Sequence, residues 1–87
     1  MQKYMMATKA EHLTGDISRD VPDLCRVNSE TSTHYIGSWI EGYGFVNVKF
    51  PKETTRELTE EEIERYDGKT LQIGSMRFPL KIRNEVA

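Results

Sequence analysis

The chain is 87 residues long, enough for one small domain, and 12 Lys and Arg against 14 Asp and Glu leave a net charge of -2. At 37% hydrophobic and 30% charged residues it has the make-up of a soluble globular domain. Such mild acidity speaks against sequence-independent DNA binding, which needs several cations set against phosphates. No apolar run approaches the ~18 residues of a membrane span, and the start lacks the apolar core of a signal peptide. The expected compartment is the cytoplasm, with no membrane partner. Cys25 is the single cysteine, so no internal disulfide can form. Neither it nor His12 and His34 stands at metal-ligand spacing, and no metal or cofactor is expected.

In chain order, residues 1–23 carry the least pattern. They either complete the sheet or form a loosely attached N-terminal arm to a single domain spanning 1–87. Tyr4, Met5, Met6, Ala7, Ala10 and Leu13 fit a short strand or a ragged helix before a turn at Thr14-Gly15-Asp16. Asp16–Asp20 reads as one helical turn, closed ahead of Pro22 because proline disfavours helical geometry in the residue before it. Asp23–Val27 alternates weakly and reads as a strand.

Thr33 to Phe50 carries the clearest signal. A two-residue turn at Gly42-Tyr43 predicts the cross-strand pairs Ile40 with Phe45, Trp39 with Val46, Gly37 with Val48, and Tyr35 with Phe50. One face then collects Tyr35, Gly37, Trp39, Val46, Val48 and Phe50, while Ile36, Ser38, Ile40, Phe45, Asn47 and Lys49 share a mixed face. Pro51 stops the strand. Thr59 and Glu62 next form a capping box, and Leu58 with Ile63 a hydrophobic staple, predicting a helix over 59–67 that ends at Gly68. A second hairpin over Thr70–Ile82, turning at Gly74-Ser75, sets Ile73 against Met76, Leu71 against Phe78 and Thr70 against Pro79. Pro79 lacks an N–H, so its strand should be an edge or end its ladder there.

These elements predict a mainly β fold with one short helix. The expected form is a small five-stranded barrel or curled antiparallel sheet, SH3-like or OB-like, made from the upstream strand and both hairpins.

The charge is uneven. Residues 52–69 hold seven acids against four bases, whereas the tail from Thr70 holds Arg77, Lys81 and Arg83 against Glu85. An acidic helix face of this kind is either solvated or meets a basic partner. Glu41-Gly42-Tyr43-Gly44-Phe45-Val46 resembles the aromatic strand motif with which RRM and cold-shock domains stack unpaired bases, although Glu41 stands where that motif has a cation. A glycine-flanked hairpin turn explains the same residues without a ligand. A thiol–imidazole pair of Cys25 and His34, facing each other across a hairpin, is the arrangement an enzyme would need, and no enzymatic activity is expected.

The stretch from Tyr35 to Thr59, Tyr35-Ile36-Gly37-Ser38-Trp39-Ile40-Glu41-Gly42-Tyr43-Gly44-Phe45 and the residues that follow, resembles small uncharacterised accessory proteins of phages and prophages of Gram-positive bacteria. The resemblance implies a non-enzymatic protein, such as a counter-defence inhibitor, that binds a host or phage protein in the host cytoplasm. The expected contact residues are Ile36, Ile40, Tyr43, Phe45 and Arg56, with Glu60, Glu61 and Glu64 as an acidic rim. A protein partner is expected, with self-association through the Ile40 and Phe45 side as a variant. The alternative is a binder of single-stranded nucleic acid or a small nucleotide signal through the aromatics of the 35–50 hairpin.

Overall fold

Strand β1 (Lys3–His12) turns through Leu13 and Thr14 into the long strand β2 (Gly15–Glu30) in a computed structural model that describes residues 3–40, 47–73 and 75–84. Gly15 takes a φ of 132°, a conformation that a side chain would resist. The His12 ring closes the turn by accepting from the Thr14 backbone N–H at 3.3 Å. The ladder runs from Lys3 opposite Val27 to Ala7 opposite Asp23, then resumes with Lys9 opposite Ser18. Arg19–Pro22 thus face the single residue Thr8, an extended bulge. Asp16–Asp20 is therefore strand and not the helical turn expected: residues 16–18 pair with β1, and Pro22 falls in the unpaired bulge, where its missing N–H costs no ladder bond.

Strand β3 (His34–Trp39) pairs with β2, setting Trp39 opposite Cys25 and Gly37 opposite Val27. Strand β4 (Val48–Pro51) pairs with β3 in the predicted register, Tyr35 with Phe50 and Gly37 with Val48. The predicted turn at Gly42-Tyr43, with the pairs through Phe45 and Val46, lies outside the described residues. Lys49 in turn pairs with Glu11 of β1, so the ladder curls back on its first strand. After a 3-10 turn at Lys52–Thr54, β5 (Thr55–Arg56) adds to β1 beside Met6 and Ala7. The sheet has five strands, as expected, but a different five. The C-terminal hairpin stands outside it, and β1 and β5 take its place.

Both faces of this curled sheet are apolar around β1. Met5, Ala7, Ala10, Cys25, Val27, Trp39, Val48 and Phe50 meet on the inner face, where Trp39 and Phe50 pack edge to face with ring centroids 5.3 Å apart. Gly37 is required there, because a Cβ would lie 1.8 Å from the carbonyl oxygen of Arg26 on β2. On the outer face Tyr4, Met6 and Leu24 pack against Leu58, Ile63, Leu80 and Ile82.

Helix α1 (Glu60–Tyr66) supplies Ile63 to that outer core. It begins as the sequence predicts. Thr59 Oγ1 accepts from the Glu62 N–H at 3.2 Å, and the Glu62 carboxylate accepts from the Thr59 N–H at 2.9 Å. So short a helix has little stability of its own and depends on Leu58, Ile63 and Tyr66 docking on the sheet. Strands β6 (Thr70–Ile73) and β7 (Met76–Pro79) form a separate two-stranded sheet in the predicted register, and Pro79 stands at its end. The chain then returns to the outer core through a 3-10 turn at Ile82–Asn84, in which Ile82 is fully buried.

Candidate functional site

Of the predicted contact residues that are described, Arg56, Glu60, Glu61 and Glu64 lie at α1, and Ile36 and Ile40 lie on and just after β3. Ile36 is half-buried on the outer face of β3. Ile40 is half-buried as well, but it packs against the outer core and lines a small pocket of about 80 Å³ with Asp23, Leu24, Tyr66, Lys69, Thr70 and Leu80. The mixed face expected to lie open around Ile40 is therefore covered there by the helix and the base of the β6–β7 hairpin. Tyr43 and Phe45 lie outside the described residues.

Arg56 is committed within the fold. Its guanidinium grips the Glu62 carboxylate with two hydrogen bonds of 2.7 and 2.9 Å, joining β5 to the first turn of α1. That contact, with the Thr59 N–H, holds the Glu62 carboxyl down at about 2. Glu60 pairs with Arg83 at 2.9 Å, and Asp67 accepts from the Arg83 backbone N–H at 3.2 Å. Glu61, exposed over 84% of its side chain, has only a loose 3.8 Å contact with Arg65. Glu64 is exposed. Of the acidic rim, Glu61 and Glu64 face solvent and Glu60 ties the helix to the C-terminal turn.

The thiol and imidazole do not meet. Cys25 is fully buried opposite Trp39, and burial pushes its thiol up to about 12, so it stays protonated. His34 begins β3 opposite Pro51, and its ring bonds Glu11 at 2.9 Å and Thr33 Oγ1 at 2.7 Å. Two other aromatics meet cations: Arg19, from the bulge, lies over Trp39 at 4.1 Å, and Lys3 and Lys52 flank the Tyr35 ring at 5.3 and 5.0 Å.

What the residue patterns did not single out is the apolar surface at the two hairpin ends. Leu13 at the β1–β2 turn is fully solvent-exposed and Val21 in the bulge is 66% exposed. On β7, Met76 is 59% and Phe78 41% exposed. The ladder registers them opposite Ile73 and Leu71, in a two-stranded sheet that pairs with no other strand among the described residues. The pattern was in the sequence, since the predicted pairs put every apolar residue of 70–79 on one side, but the expected five-stranded sheet included this hairpin and would have covered it.

Among the described residues no helix is long and apolar enough to cross a membrane, and no group of three or more His, Cys, Asp or Glu side chains is placed to hold a metal ion. No protein-family model, curated protein or solved structure matches the chain.

Proposed function

We propose that this protein is a non-enzymatic binding module that works by occupying the surface of another protein. The observation that carries the reading is the exposure of Met76 and Phe78 on a two-stranded sheet that pairs with no other strand among the described residues and adds neither residue to the two buried cores. Exposed large apolar side chains that the buried cores do not use are what a protein interface takes as anchors. If the resemblance to phage accessory proteins holds, the partner is a host or phage protein and the module acts as an accessory or counter-defence factor in the host cytoplasm.

Native mass spectrometry on the tagged protein, purified from a lysate of its host cell, tests this. A second protein in whole-number stoichiometry with the wild type, lost from Phe78→Ser, is the expected result. Co-purified nucleic acid or a small-mass adduct, retained by the variant, would overturn it and move attention to Tyr43 and Phe45.

A further inference from the structure

We infer that Met76 is a reversible oxidation site: hydrogen peroxide, or another two-electron oxidant of its class, converts the Met76 thioether to the sulfoxide ahead of every other sulfur among the described residues. Only the consequence, the loss of an apolar contact, rests on the protein-binding reading.

Exposure separates the sulfur atoms. Met5, Met6, Cys25 and Met76 are the sulfur-bearing residues among those described. Met5 is 2% exposed in the inner core and Met6 3% exposed in the outer one. Cys25 is fully buried in the inner core, and burial pushes its thiol up to about 12, so it presents no thiolate to a peroxide. Met76 is 59% exposed at the start of β7. A thioether needs no deprotonation to react, so access of the oxidant to the sulfur sets the order.

The step balances between the two reactants. A sulfur lone pair attacks one peroxide oxygen, and the S–O bond forms as the O–O bond breaks. The proton left on the transferred oxygen passes to the departing hydroxide, which leaves as water. Sulfur is oxidised by two electrons and the peroxide is reduced by two. Methionine sulfoxide reductases, one for each sulfoxide epimer, restore the thioether with two electrons from a thiol pair and release the oxygen as water.

Position makes the change harmless to the fold and costly to a contact. Met76 belongs to neither core, and its sheet pairs with no other strand among the described residues. Its ladder with Ile73 runs through backbone groups, which an oxygen on the side chain leaves intact. A sulfoxide at Met5 or Met6 would instead set a polar S–O group in a packed core. At Met76 it makes a large apolar side chain polar, two positions from the exposed Phe78 on the same side of β7. A partner docking there would have to strip water from the new oxygen.

The test treats the full-length protein with graded hydrogen peroxide, digests quenched samples with trypsin and follows each sulfur by mass. Cleavage after Lys69 and Arg77 isolates Met76 in residues 70–77. Met5 and Met6 fall in residues 4–9, and Cys25 in residues 20–26. The 70–77 peptide should gain one oxygen about tenfold faster, or more, than either of the others. Circular dichroism should stay unchanged, and the two reductases with dithiothreitol should restore the original mass. Capture of the partner by oxidised wild type should fall about fivefold, whereas peroxide-treated Met76→Leu, which keeps an apolar side chain of similar volume, should capture as before. Oxidation of the 4–9 or 20–26 peptide at a comparable rate overturns the inference. So does a 70–77 peptide that resists peroxide, or one that the reductases cannot restore. Equal capture before and after oxidation overturns the consequence for binding. A protein that captures no partner even untreated counts against the binding reading, and the peptide map still decides the oxidation site.

Discussion

The β3–β4 and β6–β7 hairpins follow one pairing rule and meet opposite fates. In both, apolar residues sit opposite apolar residues, Tyr35 with Phe50 in the first and Leu71 with Phe78 in the second. Phe50 ends fully buried against Trp39, whereas Phe78 remains 41% exposed. The difference lies in what surrounds each pair. The first hairpin is flanked by β2 and closed by β1, so its apolar face lines the inside of a curled sheet. The second pairs with nothing beyond itself in the described structure, and two strands alone cannot enclose a core. Cross-strand matching therefore sets register, and closure by further strands decides burial.

The largest effect expected tests the closed hairpin. In Gly37→Ala the new methyl would collide with the Arg26 carbonyl, a backbone atom that cannot turn aside. The β2–β3 ladder must open to admit it, at a cost of about 4 kcal/mol or more. Urea denaturation followed by Trp39 fluorescence should show a large fall in midpoint or no folded baseline. A near-normal midpoint would mean that the two strands are not held so close. Next in size is Phe50→Ala, which empties a fully buried site beside Trp39 and should cost about 3–5 kcal/mol in the same assay.

How much could be read beforehand follows the same division. The register of both hairpins was legible because each has one apolar face, which leaves a period of two in the sequence. The helix start was legible because Thr59, Glu62, Leu58 and Ile63 form a local signature. β1 was not. Met5 and Ala7 face the inner core while Tyr4 and Met6 face the outer one, so burial on both sides erases the alternation. The bulge at Arg19–Pro22 was hidden too, because it depends on β1 pairing on both sides of it and on Arg19 reaching Trp39, a residue distant in sequence. At the candidate site the mixed face around Ile40 read as open, since nothing local announces that a helix 20 residues downstream will return to cover it. The apolar side of the second hairpin was legible as a pattern; its exposure was not.

A smaller effect probes the element between the two hairpins. Glu62 caps α1 and holds Arg56, and its carboxyl is lowered from 4.5 to about 2, first by the Arg56 hydrogen bond. A carboxyl with a depressed folded-state pKa contributes stability that is fully present above its unfolded value and is lost as pH falls through the folded one. Glu62→Gln should therefore cost about 1–2 kcal/mol near neutral pH. The gap between wild type and variant should close as the medium is acidified from 4.5 toward 2. Parallel stability curves over that window would show that the ion pair contributes nothing in solution.

The smallest effect sharpens the comparison most. Phe78→Ala changes the same residue type as Phe50→Ala, in the matching place of a hairpin with the same pairing rule, but on an exposed face. Partial burial leaves less contact to lose, and the cost should stay within about 1 kcal/mol. Trp39, on the inner face of the sheet, should report an almost unchanged transition. If Phe78→Ala costs as much as Phe50→Ala, the ribbon's apolar face is packed into the body of the protein, and it is not available to any partner. If the cost is small, Phe78 contributes little to folding, and a large, partly exposed apolar side chain is left to act in binding.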